Sequence, residues 1–225
     1  MQDLARWVHA AAPHWDPVLL TGERGTGKEL LARAIHQVGP TKNKPMVVVD
    51  CASLHGSTLE SALFGHERGA FTGATHRHVG YLERAHEGTV FLDEITSLSP
   101  EGQGRLLRFL EEQTITRVGN TQPISIQTRV IAATNRDLPA EIAEGRFLPD
   151  LYDRLNVLPI RIPPLRERGD DILLLMRYFL GSEQFNTLPP ATKKKFISYD
   201  FPGNIRELRN ICRRLCVFND NGYEE

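Results

Sequence analysis

The sequence predicts an α/β protein, with a parallel sheet covered on both faces by helices and a small all-helical domain after it. Three observations carry this reading. Short apolar runs of strand length alternate with segments of helical spacing through the first two thirds of the chain. The composition changes after Pro163-Pro164, and every periodic segment beyond is helical. At 225 residues the chain can bury a full core, and it fits one large domain with a small appendage. The expected boundaries are 1–168 for the α/β core and 169–225 for the helical domain.

The elements follow in order. Val18-Leu19-Leu20 is a short apolar strand running straight into a glycine-rich loop. Glu29 to Val38 has helical spacing, with Leu30, Leu31, Ala34 and Ile35 expected on one face. Met46 to Val49 is a second buried strand and Thr89 to Leu92 a third. Arg105 to Glu112 reads as a helix, Arg129 to Thr134 as a fourth strand and Val157 to Ile162 as a fifth. Helices are expected over Ile172 to Leu180, Ala191 to Tyr199 and Ile205 to Val217. Pro202-Gly203 breaks the chain before the last of these, and Asn204 is suited to cap it.

Composition excludes several classes. Lys and Arg number 27 against 28 Asp and Glu, and no basic stripe suggests autonomous nucleic-acid binding. Cys51, Cys212 and Cys216 form no disulfide framework, which fits a reducing cytoplasm. No run approaches the ~18 apolar residues of a membrane span. The start, Met1 to Trp7, lacks the apolar stretch of a signal peptide. His66, His76, His78 and His86 lack paired ligand spacing and read as loop histidines. Cys212 and Cys216 lie on one helical face and read as core, and Lys193 to Lys195 as a solvated face.

Three motifs carry chemistry. Gly22-Glu23-Arg24-Gly25-Thr26-Gly27-Lys28 follows a strand and opens a helix. Gly22, Gly25 and Gly27 let backbone amides turn toward phosphate oxygens, and the helix points its positive end at the same place. Lys28 supplies charge for the outer phosphates. Glu29 stands where such a loop usually has Ser or Thr for magnesium, which leaves Thr26 or water for that role, or a different magnesium shell. Asp93 and Glu94 end the third strand, at the carboxyl edge where such sheets bind ligands. Asp93 can hold Mg²⁺ and Glu94 can polarise an attacking water. Asn135 ends the fourth strand, where an amide can bond a terminal phosphate or the water, although locally it reads almost as well as a cap before Asp137. Between the first two motifs lies Gly69-Ala70-Phe71-Thr72-Gly73-Ala74, two glycines around a small aromatic tip.

These segments resemble the AAA+ ATPase domain of bacterial enhancer-binding proteins, the NtrC-like activators of sigma-54 RNA polymerase. The resemblance runs through residues 22–29, 63–74, 91–95 and 132–138, then Pro163-Pro164-Leu165-Arg166-Glu167-Arg168 and Pro202-Gly203-Asn204-Ile205-Arg206-Glu207-Leu208. It covers essentially the whole chain, and the hexapeptide is specific to this family while the phosphate loop is not. It implies a P-loop AAA+ core with a helical lid, ATP and Mg²⁺ as cofactors, and ATP hydrolysis. It implies that Phe71 and Thr72 tip a mobile loop that touches sigma-54, that Arg206 reaches the nucleotide from the lid, and that Arg154 acts in trans as an arginine finger in a ring, a hexamer by expectation. In this family Glu29 is the ordinary residue.

The chain departs from the pattern in three places. Leu148, followed by Pro149, stands where the family has a second trans arginine, leaving Arg154 and Arg146 as candidates. Asp50 stands where an Asn is thought to hold the catalytic glutamate, and an Asp there would repel Glu94. Neither a regulatory domain nor a helix-turn-helix is found, so the chain reads as an excised central domain that reaches DNA only through a part it lacks. The expected function is remodelling of the sigma-54 holoenzyme from closed to open complex. Two alternatives stand beside it: a nucleotide-gated binding module with weak hydrolysis, and an AAA+ remodeller of another client.

Overall fold

The computed structural model describes residues 2–53 and 57–219. The chain end at Gly222 to Glu225 lies outside the described residues. The fold divides into two compact units. Among the described residues the larger comprises 5–21, 29–53 and 57–161, the smaller 2–4, 22–28 and 162–219.

Along the chain run α1 (Gln2–Ala11), β1 (Val18–Thr21), α2 (Lys28–Val38), β2 (Met46–Asp50), α3 (Ser57–Phe64), α4 (Tyr81–Arg84) and β3 (Thr89–Asp93). Then come α5 (Pro100–Glu112), β4 (Thr114–Ile115), β5 (Ile124–Ser125), β6 (Arg129–Thr134), α6 (Leu138–Ala143), α7 (Pro149–Leu155) and β7 (Leu158–Arg161). The expected parallel sheet is present in the larger unit, with strand order β2-β3-β6-β1-β7. The central strands are buried on both faces, which is why they read as unbroken apolar runs. Val90, Phe91 and Leu92 are each fully buried, worth about 1.5–3 kcal/mol apiece. Leu63, Phe64, Leu106, Phe109, Leu151 and Leu155 close over the sheet in one core.

Two expectations need correction here. Leu30 is 68% exposed, because the buried stripe of α2 runs through Ala32, Ile35 and His36, and Leu30 lies two residues, about 200°, from Ala32. The helix expected from Arg105 starts at Pro100, where Ser99 caps it by accepting from Gly102 N at 3.0 Å.

The smaller unit carries α8 (Asp171–Leu180), α9 (Ser182–Thr187), α10 (Pro190–Ile197) and α11 (Asn204–Asn219). Its core gathers Leu165, Ile172, Met176, Phe201, Leu208 and Cys212, with Cys216 partly buried against it. Among the described residues no helix is long and apolar enough to cross a membrane.

Candidate functional site

In the smaller unit the loop of residues 22–28 is shaped by its own segment and by residues 163–206. Gly25 has φ +77°, and a Cβ there would stand 2.4 Å from Gly203 O, so only glycine fits. Gly27 has φ +100°. Lys28 is buried and its ammonium donates to Gly22 O at 2.9 Å and Glu23 O at 3.3 Å. Thr26 is buried and its hydroxyl donates to Glu23 O at 2.8 Å. Glu23 is held by Arg166 in a two-pronged pair at 3.0 and 2.6 Å. Arg206 is exposed on the first turn of α11, and its Cβ lies 3.2 Å from where a Cβ on Gly25 would be. Glu29, in the larger unit, pairs with Arg33 one turn along α2 at 2.7 Å.

Asn204 begins α11 but is no ordinary cap. Its oxygen accepts from Leu165 N at 2.7 Å, and its nitrogen donates to Glu23 Oε2 at 3.1 Å and Arg24 O at 3.0 Å. Glu207 closes the helix start instead, its carboxylate accepting from Gly203 N at 2.8 Å. Asn is a frequent cap, so local sequence points to its own helix. The partners that win lie far away in the chain.

In the larger unit the carboxyl ends of β3 and β6 bring Asp93, Glu94 and Asn135 together. Asp93 is half-buried and its Oδ1 accepts from Glu94 N at 3.1 Å. Glu94 has φ 51° and ψ 52°, a left-handed conformation that costs a residue with a side chain of order 1–3 kcal/mol. Asn135 donates its backbone N–H to Glu94 Oε2 at 3.4 Å. With the amide nitrogen turned inward, its side chain donates to Glu94 Oε1 at 2.8 Å and also reaches Oε2. The cap of α6 is Asp137, which accepts from Ala140 N at 3.3 Å, and this leaves Asn135 to face the glutamate. Asp50 pairs in register with Asp93 at the end of β2. Its side chain is exposed and accepts from Ala52 N at 2.9 Å in its own turn. Cys51 lies beside this acidic cluster, its backbone N–H donating to Asp93 O at 3.0 Å. Burial first, then Asp50, Asp93 and Glu94, push its thiol up to about 12.

The loop of residues 66–78 belongs to the larger unit. Gly69 and Gly73, at φ +83° and +102°, have open space around them, and Gly69 N donates to Ala74 O at 2.8 Å. Phe71 is 41% exposed, and its ring meets that of His66 in a T-shaped contact at 5.0 Å. Thr72 is exposed and Ala74 buried. Ala70 lies against Gly119. At the stem, His66 and His78 form an isolated antiparallel bridge, and their rings stack. Beside them Arg117 is buried and donates to Glu83 at 2.6–3.0 Å and to Glu67 at 2.8 Å. Sequence reading missed Arg117, which lies in no motif and stands in an irregular stretch between Thr116 and Val118.

The arginines near Leu148 differ in their engagement. Arg146 is clasped by Glu141 at 2.7 and 2.9 Å and also bonds Glu144. That contact holds the Glu141 carboxyl below the usual range. Arg154 is exposed on α7 and pairs with Glu111 of α5 at 3.2 Å. Leu148 packs on the core, and its N–H donates to Gln103 at 2.9 Å.

A parallel sheet whose first strand leads into a glycine loop, with carboxylates ending β3, defines a phosphate-loop nucleotide-binding protein. The family model described as the sigma-54 interaction domain matches residues 1–161, and one described as the AAA+ ATPase lid domain matches 166–223. The chain belongs to the sigma-54 interaction domain family. It is 48% identical to the transcriptional regulatory protein ZraR of Escherichia coli K12 over 99% of this chain and 52% of that protein. It is 47% identical to the Nif-specific regulatory protein of Herbaspirillum seropedicae, over 96% of this chain and 41% of that one. Brucella abortus NtrX superposes with a TM-score of 0.89 at 35% identity, over 97% of this chain and 51% of that one. NtrX has been solved in complexes with ADP and with ATP. The chain spans about half the length, or less, of the curated relatives it matches.

Proposed function

We propose that this chain is an ATP-hydrolysing module that engages sigma-54 and drives its RNA polymerase holoenzyme from the closed to the open complex. The amides of residues 22–28 and Lys28 hold the polyphosphate, and Arg206 reaches it from the lid. Asp93 is a hard oxygen donor at a strand end, which suits Mg²⁺. That cation, when bound, offsets charge on the phosphates. Glu94 orients the water and accepts its proton. Asn135 sets where the Glu94 carboxylate points. Arg154 acts on a neighbour's nucleotide in a ring, a hexamer by family resemblance.

The observation that carries the reading is Phe71, 41% exposed at the tip of a glycine-hinged loop. A second reading, a nucleotide-gated binding module with weak turnover, is favoured by the Asn135 amide that occupies Glu94. Phosphate release at high protein concentration separates the two, with Glu94→Gln as the blank. Parent activity well above that variant supports the motor; equal rates support the gated module. Binding to purified sigma-54 with ADP and a transition-state analogue tests the client. Phe71→Ala or Thr72→Ala should keep most turnover and lose the complex. Retention of sigma-54 binding by both would overturn the role of this loop.

A further inference from the structure

The phosphate loop is held from outside by three consecutive carbonyl bonds. Arg24 O accepts from Asn204 Nδ2 at 3.0 Å, Gly25 O from Ile205 N at 3.0 Å, and Thr26 O from Arg168 Nη2 at 2.9 Å. In a trans peptide the C=O of one residue and the N–H of the next point in opposite directions. Anchoring these three oxygens outward therefore turns the N–H groups of Gly25, Thr26 and Gly27 to the inner side of the loop. That arrangement is an anion-binding concavity.

Asn204 is the centre of the clamp. It is fully buried, at φ 53°, and each polar atom of its carboxamide is used. It also bonds Glu23, a carboxylate that would repel phosphate if it swung inward, and Arg166 holds that carboxylate from a second side.

We infer that Asn204, with Arg168, is a positioning residue that presets the loop amides for a polyphosphate, so that the helix carrying Arg206 also shapes the phosphate site. This rests on the reading that the loop binds ATP. It assigns to Asn204 a role in affinity for the β-phosphate, in place of the helix cap its residue type suggests.

The test compares ADP and AMP affinities, by competition against a fluorescent ADP, in the full chain. Asn204→Asp keeps the acceptor for Leu165 N and puts an oxygen where the donor faced Glu23 and Arg24 O. ADP affinity should fall at least tenfold while AMP affinity changes less than threefold. Adding Glu23→Gln to Asn204→Asp supplies a donor from the other side and should restore several-fold. A purely structural asparagine would lower the melting temperature and leave the ADP-to-AMP ratio at its parent value. Lys28→Ala is the control for the underlying reading. If Lys28→Ala loses ADP and Asn204→Asp keeps the parent ratio, the positioning role is overturned. If Lys28→Ala also binds ADP like the parent, the nucleotide-loop reading itself fails. Should Asn204→Asp not fold, Arg168→Gln removes the anchor on Thr26 O and decides by the same ratio.

Discussion

At the residue scale, Cys51 reports on the acidic cluster. Its thiol is fully buried and its titration is pushed up to about 12, so at pH 8 only on the order of 10⁻⁴ of it is thiolate. Cys212, also fully buried, is pushed up to about 11 by burial first and then by Cys216. Cys216 is half-buried and donates to Gln184 Oε1 at 3.0 Å. Iodoacetamide at pH 8 should therefore label Cys216 first in the folded protein, with Cys51 and Cys212 modified only on unfolding. Peptide mapping of singly alkylated protein checks this, and early label on Cys51 would contradict the packing around Asp93 and Glu94. The same scale separates what sequence could and could not reveal. Asp93 and Glu94 were legible because an apolar strand must end where they begin. The Asn204 clamp was not, because its partners at Glu23 and Arg24 lie about 180 residues away, beyond any local pattern.

At the scale of elements, the loop of residues 66–78 depends on its stem. Arg117→Ala would leave Glu67 and Glu83 without the guanidinium between them. The expected cost is about 2–3 kcal/mol, below that of a fully buried pair because both carboxylates keep some water. Glu67 titrates below its ordinary 4.5, chiefly through the hydrogen bond from Arg117. A depressed carboxylate stabilises the fold fully above its unfolded value, and that contribution is lost as pH falls through the folded value. Thermal unfolding followed from about pH 6 down to about pH 3 should thus fall less steeply in Arg117→Ala than in the parent. Equal slopes would mean that Glu67 gains nothing from this contact. The strands β1, β3 and β6 were readable as apolar runs. The hairpin of β4 and β5 was not, since two residues per strand give no period. Nor was Arg117, which is buried by contacts between segments that share no motif.

At the scale of the whole molecule, the question is how one chain meets another. The Arg154–Glu111 pair is exposed on both sides, at 59% and 43%, and such pairs contribute about 0–1 kcal/mol. Arg154 can therefore release Glu111 for another anion at little cost. If it acts in trans, turnover per chain should rise with protein concentration in the parent and stay low and flat in Arg154→Ala, with nucleotide affinity of the monomer little changed. A trans arginine can supply ~10³-fold or more in rate. Mixing Arg154→Ala with Glu94→Gln chains should return part of the activity, because some interfaces then join an intact glutamate to an intact arginine. Concentration-independent turnover by a proven monomer would remove the ring from the mechanism. Arg129 opens β6, is fully buried, and donates to Ala11 O and Ala12 O at the end of α1. Asn135, the residue after the same strand, grips Glu94. The same six-residue strand thus holds the end of α1 where it begins and meets Glu94 just past its end.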